Sequence, residues 1–289
     1  MASGLIRTAP ADRRTLVARV AGLLCQVVAG PGARGHVLRT FIRPGLDLSD
    51  DELATLVGQL RGVADGCFAG GAPTHYQALR GRRRDLVDKV ITIAKGPGGE
   101  VVGFSSAVIF NVLPVGDVLH LGLTCVRPES RGRGLCHLLV NRNFTAFLLY
   151  NGLQRHFWIT NVSSLVAGLA PPGAFFDDTY PSHCSRRSRP SQTHLTIASA
   201  VSAHFRDQIS IRSDAPFDPD SFVFTGGNFH GPFQHVERQS YGDAYAAAWY
   251  LRKMAPHRGD AMLQVGQGSL LGVVKHLLRA ARGKSRRDG

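Results

Sequence analysis

The run HLGLTCVRPESRGRGLCHLLVNRNF, His120–Phe144, constrains this chain more than any other stretch. It reads as a strand, a turn with two glycines one residue apart, and a helix whose apolar face carries Leu135, Leu138 and Leu139. Gly132 and Gly134 let the backbone fold tightly over an anion. The first N–H groups of the following helix then point outward with the positive end of its dipole. Arg131 and Arg133 add positive charge at the same point. Backbone donors arranged in this way cradle a pyrophosphate.

Two other glycine-turn chemistries fit poorly. A dinucleotide fold needs G-x-G-x-x-G after a strand and an acid about 20 residues further on. Here the third glycine position is His137, and no Asp or Glu follows until Asp177. A Walker A loop is absent from the sequence as well.

The flanking segments predict alternating strands and helices. HVLRTFIR (36–43) reads as a strand, and Ser49 with Glu52 three residues on reads as a capped helix start. Strands follow at Lys89–Ala94, Val101–Val112 and Val118–Val126, the first two joined by the hairpin chemistry of Gly96-Pro97-Gly98-Gly99. A helix from Leu135 to Tyr150 precedes a strand at His156–Asn161. Ser163–Ala170 begins a helix expected to stop at Pro171-Pro172, and Thr193–Arg206 is a further helix. Short helices are expected at Ala244–Met254 and Leu270–Ala281. Leu16, Val20, Leu23, Leu24 and Val27 stand at the spacing of an amphipathic N-terminal helix.

Composition narrows the setting. The net charge of +13 draws polyanions, whether nucleic acid or a nucleotide such as coenzyme A. Much of the arginine sits in short runs, at 82–84, 186–189 and 279–287, which fit a solvated surface better than a nucleic-acid stripe. The five cysteines form no CxxC pair, so neither a disulfide framework nor a zinc ribbon is signalled, and a cytoplasmic, reducing compartment is expected. The histidines at 183, 194, 204, 230 and 235 lack metal-ligand spacing. No stretch reaches 18 uninterrupted apolar residues, so no membrane span is expected.

Arg131-Gly132-Arg133-Gly134-Leu135-Cys136 resembles the Q/R-x-x-G-x-G/A turn of the GCN5-related N-acetyltransferase (GNAT) family. The preceding Val126-Arg127-Pro128-Glu129-Ser130 resembles the phrase that leads into it. Cys136 departs from the family's final Gly or Ala. The resemblance covers residues 36–180 and is specific over 116–161. It implies an α/β (α+β) fold with a mixed, mainly antiparallel sheet of six or seven strands. Helices would cover both faces, and the fourth and fifth strands would part in a V.

The resemblance also implies acyl transfer from acetyl-CoA, or another acyl-CoA, to an amine of unknown identity. Backbone groups of Leu123, Thr124, Cys125 and Val126 would bind the pantetheine arm as an added strand, with Asn161 beside it. Residues Arg131, Gly132, Arg133, Gly134, Leu135 and Cys136 would hold the pyrophosphate. His120, eleven residues before Arg131, stands where one branch of the family keeps its base, and Tyr180 near where the family's acid follows. Each has a structural reading too, as a strand histidine and a packed tyrosine. Cys125 as a nucleophile is disfavoured by its apolar strand neighbours. Residues 1–34 are expected to be a helical extension, 35–213 the acyl-CoA domain, and 214–289 an extension of unknown role. The competing functions are a GNAT-like binding module without turnover and a basic protein that associates with nucleic acid.

Overall fold

The computed structural model describes residues 35–68, 71–72, 76–132, 134–152, 156–185, 187–228 and 243–269. Among these residues the strands are β1 (Val37–Ile42), β2 (Lys89–Lys95), β3 (Val101–Val112), β4 (Gly116–Val126), β5 (His156–Ser163), β6 (Asp177–Tyr180), β7 (Phe217–Asp218), β8 (Val223–Phe224) and β9 (Ala261–Ser269). The helices are α1 (Pro44–Asp47), α2 (Asp50–Asp65), α3 (Gln77–Arg80), α4 (Leu135–Tyr150), α5 (Val166–Phe175), α6 (Gln192–His204) and α7 (Ala244–Leu251).

All nine strands belong to one sheet, ordered β1-β2-β3-β4-β5-β9-β8-β7, with β6 paired to β9. β4 and β5 run parallel, and the other pairs are antiparallel. β2 and β3 are apolar almost throughout and buried on both faces, as strands sandwiched between helices must be. α4 covers one face of β2–β4 through Leu138, Leu139, Phe144 and Phe147. On the other face, α2 and α3 cover one end of these strands, and α6 with the 205–211 segment covers the other.

Local chemistry sets the element ends. Ser49 caps α2: its hydroxyl accepts from Glu52 N at 3.3 Å, and its own N–H reaches Glu52 Oε2 at 2.9 Å. Gly99, at φ +85°, closes the β2–β3 hairpin in a conformation other residues rarely adopt.

Three expectations change. The sheet has nine strands rather than six or seven. Residue 214 marks no boundary, because β9 pairs with β5 from Ser163–Met262 to His156–Ser269 and β8 continues the sheet. α5 does not stop at Pro171-Pro172 but runs through both to Phe175. Pro172 has no N–H for the Gly168 carbonyl four residues back. Asn161 Nδ2 donates to that carbonyl instead, at 2.9 Å, and the Tyr250 hydroxyl donates to the next one, Leu169 O, at 3.2 Å. The helices expected at 16–33 and 270–281 lie outside the described residues.

Candidate active site in the opening between β4 and β5

β4 and β5 pair only from Val118–Trp158 to Leu121–Asn161. Beyond that point β4 stays with β3 and β5 stays with β9, so the two parallel strands part. A β-bulge marks the parting. Ser105 pairs with Thr124 and Ala107 with Leu121, so Ser106 faces both Gly122 and Leu123. A Cβ on Gly122 would lie 2.8 Å from the Ser106 carbonyl oxygen and 2.9 Å from its hydroxyl, so glycine permits the approach. The Ser106 hydroxyl donates to Leu123 O at 3.2 Å and fixes the bulge from the other side.

A cavity of about 260 Å³ occupies this opening. β4 contributes Leu121–Thr124, and β5 contributes Asn161 and Ser163. Tyr76 and Gln77 from the start of α3, together with Gln208–Ser210, form the roof. No carboxylate is among the described residues lining it.

One row of the sheet crosses the cavity floor. Lys89 on β2 pairs with Val108, Val108 with His120, and His120 with Thr160. Residues directly opposite in a ladder share a face, so these side chains stand side by side. His120 Nδ1 lies 2.9 Å from Thr160 Oγ1. Burial first, and then the Lys89 charge, pull the imidazole down to about 3, so it is neutral at physiological pH. Lys89 is buried too, its Nζ donating to Gln77 Oε1 at 2.6 Å. Desolvation pulls its ammonium down to about 7, against the opposing pull of Asp85, Asp88 and Asp207.

The roof is tied down by charge. Asp207 accepts from Gln77 Nε2 at 2.9 Å and from both terminal nitrogens of Arg80, at 3.0 and 2.7 Å. Those Arg80 bonds hold the carboxyl down to about 2. Gln77 thus joins the ion pair to Lys89. Gln208 Oε1, also on the roof, is buried with no hydrogen-bond partner among the described residues.

A 3-10 turn at Pro128–Ser130 leads from β4 into the glycine turn. Gly132 and Gly134 take φ +75° and +74°, and a Cβ on either would meet nothing within 4 Å, so the space around them is open. Their glycine character answers to backbone conformation rather than crowding. Gly134 precedes the first residue of α4, Leu135 is buried beneath, and Cys136 is exposed. Arg131 turns back to donate from Nε to Val126 O at 3.0 Å. Arg133 lies outside the described residues.

His120, Leu123, Thr124 and Asn161 therefore line one cavity, while Cys125 and Val126 continue β4 toward the turn. The carbonyls of Leu123 and Val126 already accept side-chain bonds, the latter also from Cys67 Sγ at 3.4 Å. Asn161 Nδ2 is engaged by Gly168 O and Gln264 Oε1. Burial, and then Cys67 beside it, push the Cys125 thiol up, which opposes nucleophilic use.

Tyr180 is not brought to this site. Its hydroxyl donates to Asp220 O at 2.7 Å, and its ring packs on Phe222 beyond β9. The phenol that does line the cavity is Tyr76, pushed up to about 12 by burial. Sequence reasoning missed Tyr76, Gln77, Lys89 and Gln208. Only Lys89 left a signal, a cation opening the otherwise apolar strand KVITIA.

No family model and no curated protein matches the chain. Solved structures do match it. The chain resembles GNAT-fold acetyltransferases. One is the aminoglycoside N-acetyltransferase AAC(6')-Iy in complex with CoA, at 19% identity over 39% of this chain and 68% of that one, with a TM-score of 0.28. Another is a GNAT family N-acetyltransferase from Escherichia coli in complex with CoA, at 19% identity over 47% and 63%, with a TM-score of 0.25. An aminoglycoside acetyltransferase from an uncultured soil metagenomic sample gives 18%, 40%, 74% and 0.29 for the same quantities. Scores and identities this low record a likeness and assign no activity.

Proposed function

We propose that this chain is an acyl-CoA-dependent N-acyltransferase, most simply one that moves acetyl from acetyl-CoA to an amine. The observation that carries the reading is the parting of β4 and β5 at the Gly122 bulge, followed by a glycine turn and the start of α4. Residues Leu123–Val126 present a strand edge on which an extended pantetheine arm can lie. The open turn at Gly132 and Gly134, with the α4 amides behind it, suits a pyrophosphate. Bound this way, the thioester end reaches the cavity that holds His120 and Lys89.

A tetrahedral adduct formed by an attacking amine must lose a proton, and the departing thiolate must gain one. His120, held near 3, cannot keep a proton at neutral pH and serves as an uncharged hydrogen-bonding partner for the amine. Lys89, near 7, is basic enough to take the proton and acidic enough to return it to an alkyl thiolate, which is more basic still; even a cysteine thiol has an ordinary pKa of about 8.5. Tyr76 stays protonated and donates a hydrogen bond without surrendering its proton. Tyr180 has a packing role.

The acceptor follows from the walls. With a lysine and no carboxylate lining the described cavity, a neutral or anionic amine fits better than a polycation. The free cysteines among the described residues suit a reducing cytoplasm.

The experiment is thermal unfolding with acetyl-CoA, NAD or ATP. Ligand at about 100 times its dissociation constant adds about 2.7 kcal/mol, a rise of roughly 4–5 °C at this size. Acetyl-CoA is expected to raise the transition more than the other two. A rise with NAD or ATP alone overturns the reading.

A further inference from the structure

We infer that Lys89 is a self-acylation site: without an amine acceptor, its side-chain amine takes the acyl group from the bound thioester. This rests on the acyl-CoA reading above and goes beyond it.

Three observations carry it. Lys89 lines the same cavity as Leu121–Thr124, so its amine shares about 260 Å³ with the place where a thioester along β4 would end. Held in so small a volume, an amine and a thioester react as if at very high concentration. No carboxylate is among the described residues lining the cavity: Asp85, Asp88 and Asp207 favour the ammonium only from outside that lining, and the direct partner of Lys89 is the neutral Gln77 Oε1 at 2.6 Å. Desolvation leaves a large neutral fraction at pH 7, when an exposed lysine is almost wholly charged. Acylation also removes the reason for that shift, since a buried amide carries no charge to desolvate.

The step balances without any co-reactant. The Lys89 nitrogen bonds to the acyl carbon, the carbon–sulfur bond breaks, and the proton lost from nitrogen goes to the departing thiolate. The products are an Nε-acyl lysine, whose N–H keeps Gln77 Oε1 as its acceptor, and free CoA. The acyl group then occupies the acceptor's space, so the modification switches transfer off when acyl donor is plentiful and acceptor scarce.

The test incubates the full chain with acetyl-CoA alone and reads intact mass and peptide maps before and after neutral hydroxylamine, which cleaves thioesters and spares amides. The expected result is one acetyl group on Lys89, resistant to hydroxylamine and absent from Lys89→Met. Its rate should rise with pH and level off just above 7, where a surface lysine would continue to rise toward its own pKa near 10.4. Thermal unfolding with CoA runs in parallel. A thermal shift with Lys89 unmodified, or with acetyl only on other residues such as Cys136, overturns the inference and leaves the acyl-CoA reading standing. No shift and no adduct overturn both.

Discussion

Lys89 and His120 stand in one row of the sheet with Val108 between them, and both line the cavity where β4 and β5 part. Two strand spacings put their backbones roughly 10 Å apart, within reach of a lysine side chain and of its charge. Each is a basic group removed from water. Lys89 further lowers the proton affinity of His120, so the pair favours one proton rather than two.

His120 should therefore make the protein sensitive to mild acid. Its folded pKa, about 3, lies below the unfolded value near 6.5, so the unfolded chain binds the proton first. The stability conferred by the neutral ring is complete above 6.5 and is lost as pH falls toward 3. Denaturant unfolding of wild type and His120→Gln from pH 7 to 4.5 should show the wild type losing up to about 1.4 kcal/mol per pH unit relative to the variant. Parallel curves would mean that the ring is not held neutral by the fold.

Lys89 obeys the same sign in a higher window. Its folded pKa of about 7 lies below the ordinary 10.5, so stability rises as pH climbs between those values. Lys89→Met removes that slope. The variant should be more stable than wild type at pH 7, with the gap narrowing by about 1.4 kcal/mol per unit toward pH 10. A variant less stable than wild type at pH 7 would show that the Gln77 bond outweighs desolvation.

Gly122 is the backbone device that opens the site. Gly122→Ala puts a methyl 2.8 Å from the Ser106 carbonyl, a backbone atom that cannot swing aside. A loss of about 1–3 kcal/mol is expected, read by chemical denaturation. Weaker CoA binding should accompany it, because the bulge aims the β4 edge. An alanine variant with wild-type stability and affinity would remove the bulge from the account.

Much of this arrangement was legible in the sequence. The unbroken apolar runs of β2 and β3 and the Ser49–Glu52 box needed only local rules, and α4 was plain from its periodicity. The strand–turn–helix at His120–Phe144 located the opening. Gly122 carried the sign of a bulge, a glycine inside a strand, that went unread. β9 was hidden for a physical reason: AMLQVGQGS is poor in β-branched residues, and its glycines answer to distant neighbours. A Cβ on Gly268 would strike the Phe157 ring at 2.4 Å, and one on Gly266 would meet Thr179 Oγ1 at 2.7 Å. α5 runs through Pro171 and Pro172, and Asn161, seven residues earlier on β5, serves the Gly168 carbonyl that Pro172 leaves without a donor. Lys89 left only the mark of a cation opening an apolar strand and Gln77 none, because both reach the site through the register of β2 and the docking of α3.

Calorimetric titration of CoA into wild type and Cys136→Glu tests the central claim most directly. Cys136 is exposed in the first turn of α4, where a carboxylate favours the helix but would repel a pyrophosphate over the Gly132–Gly134 turn. The account predicts saturable binding by wild type and an affinity lower by about tenfold or more, about 1.4 kcal/mol, in a variant that unfolds at the same temperature or higher. No binding by wild type, or equal affinity in both proteins, would contradict it.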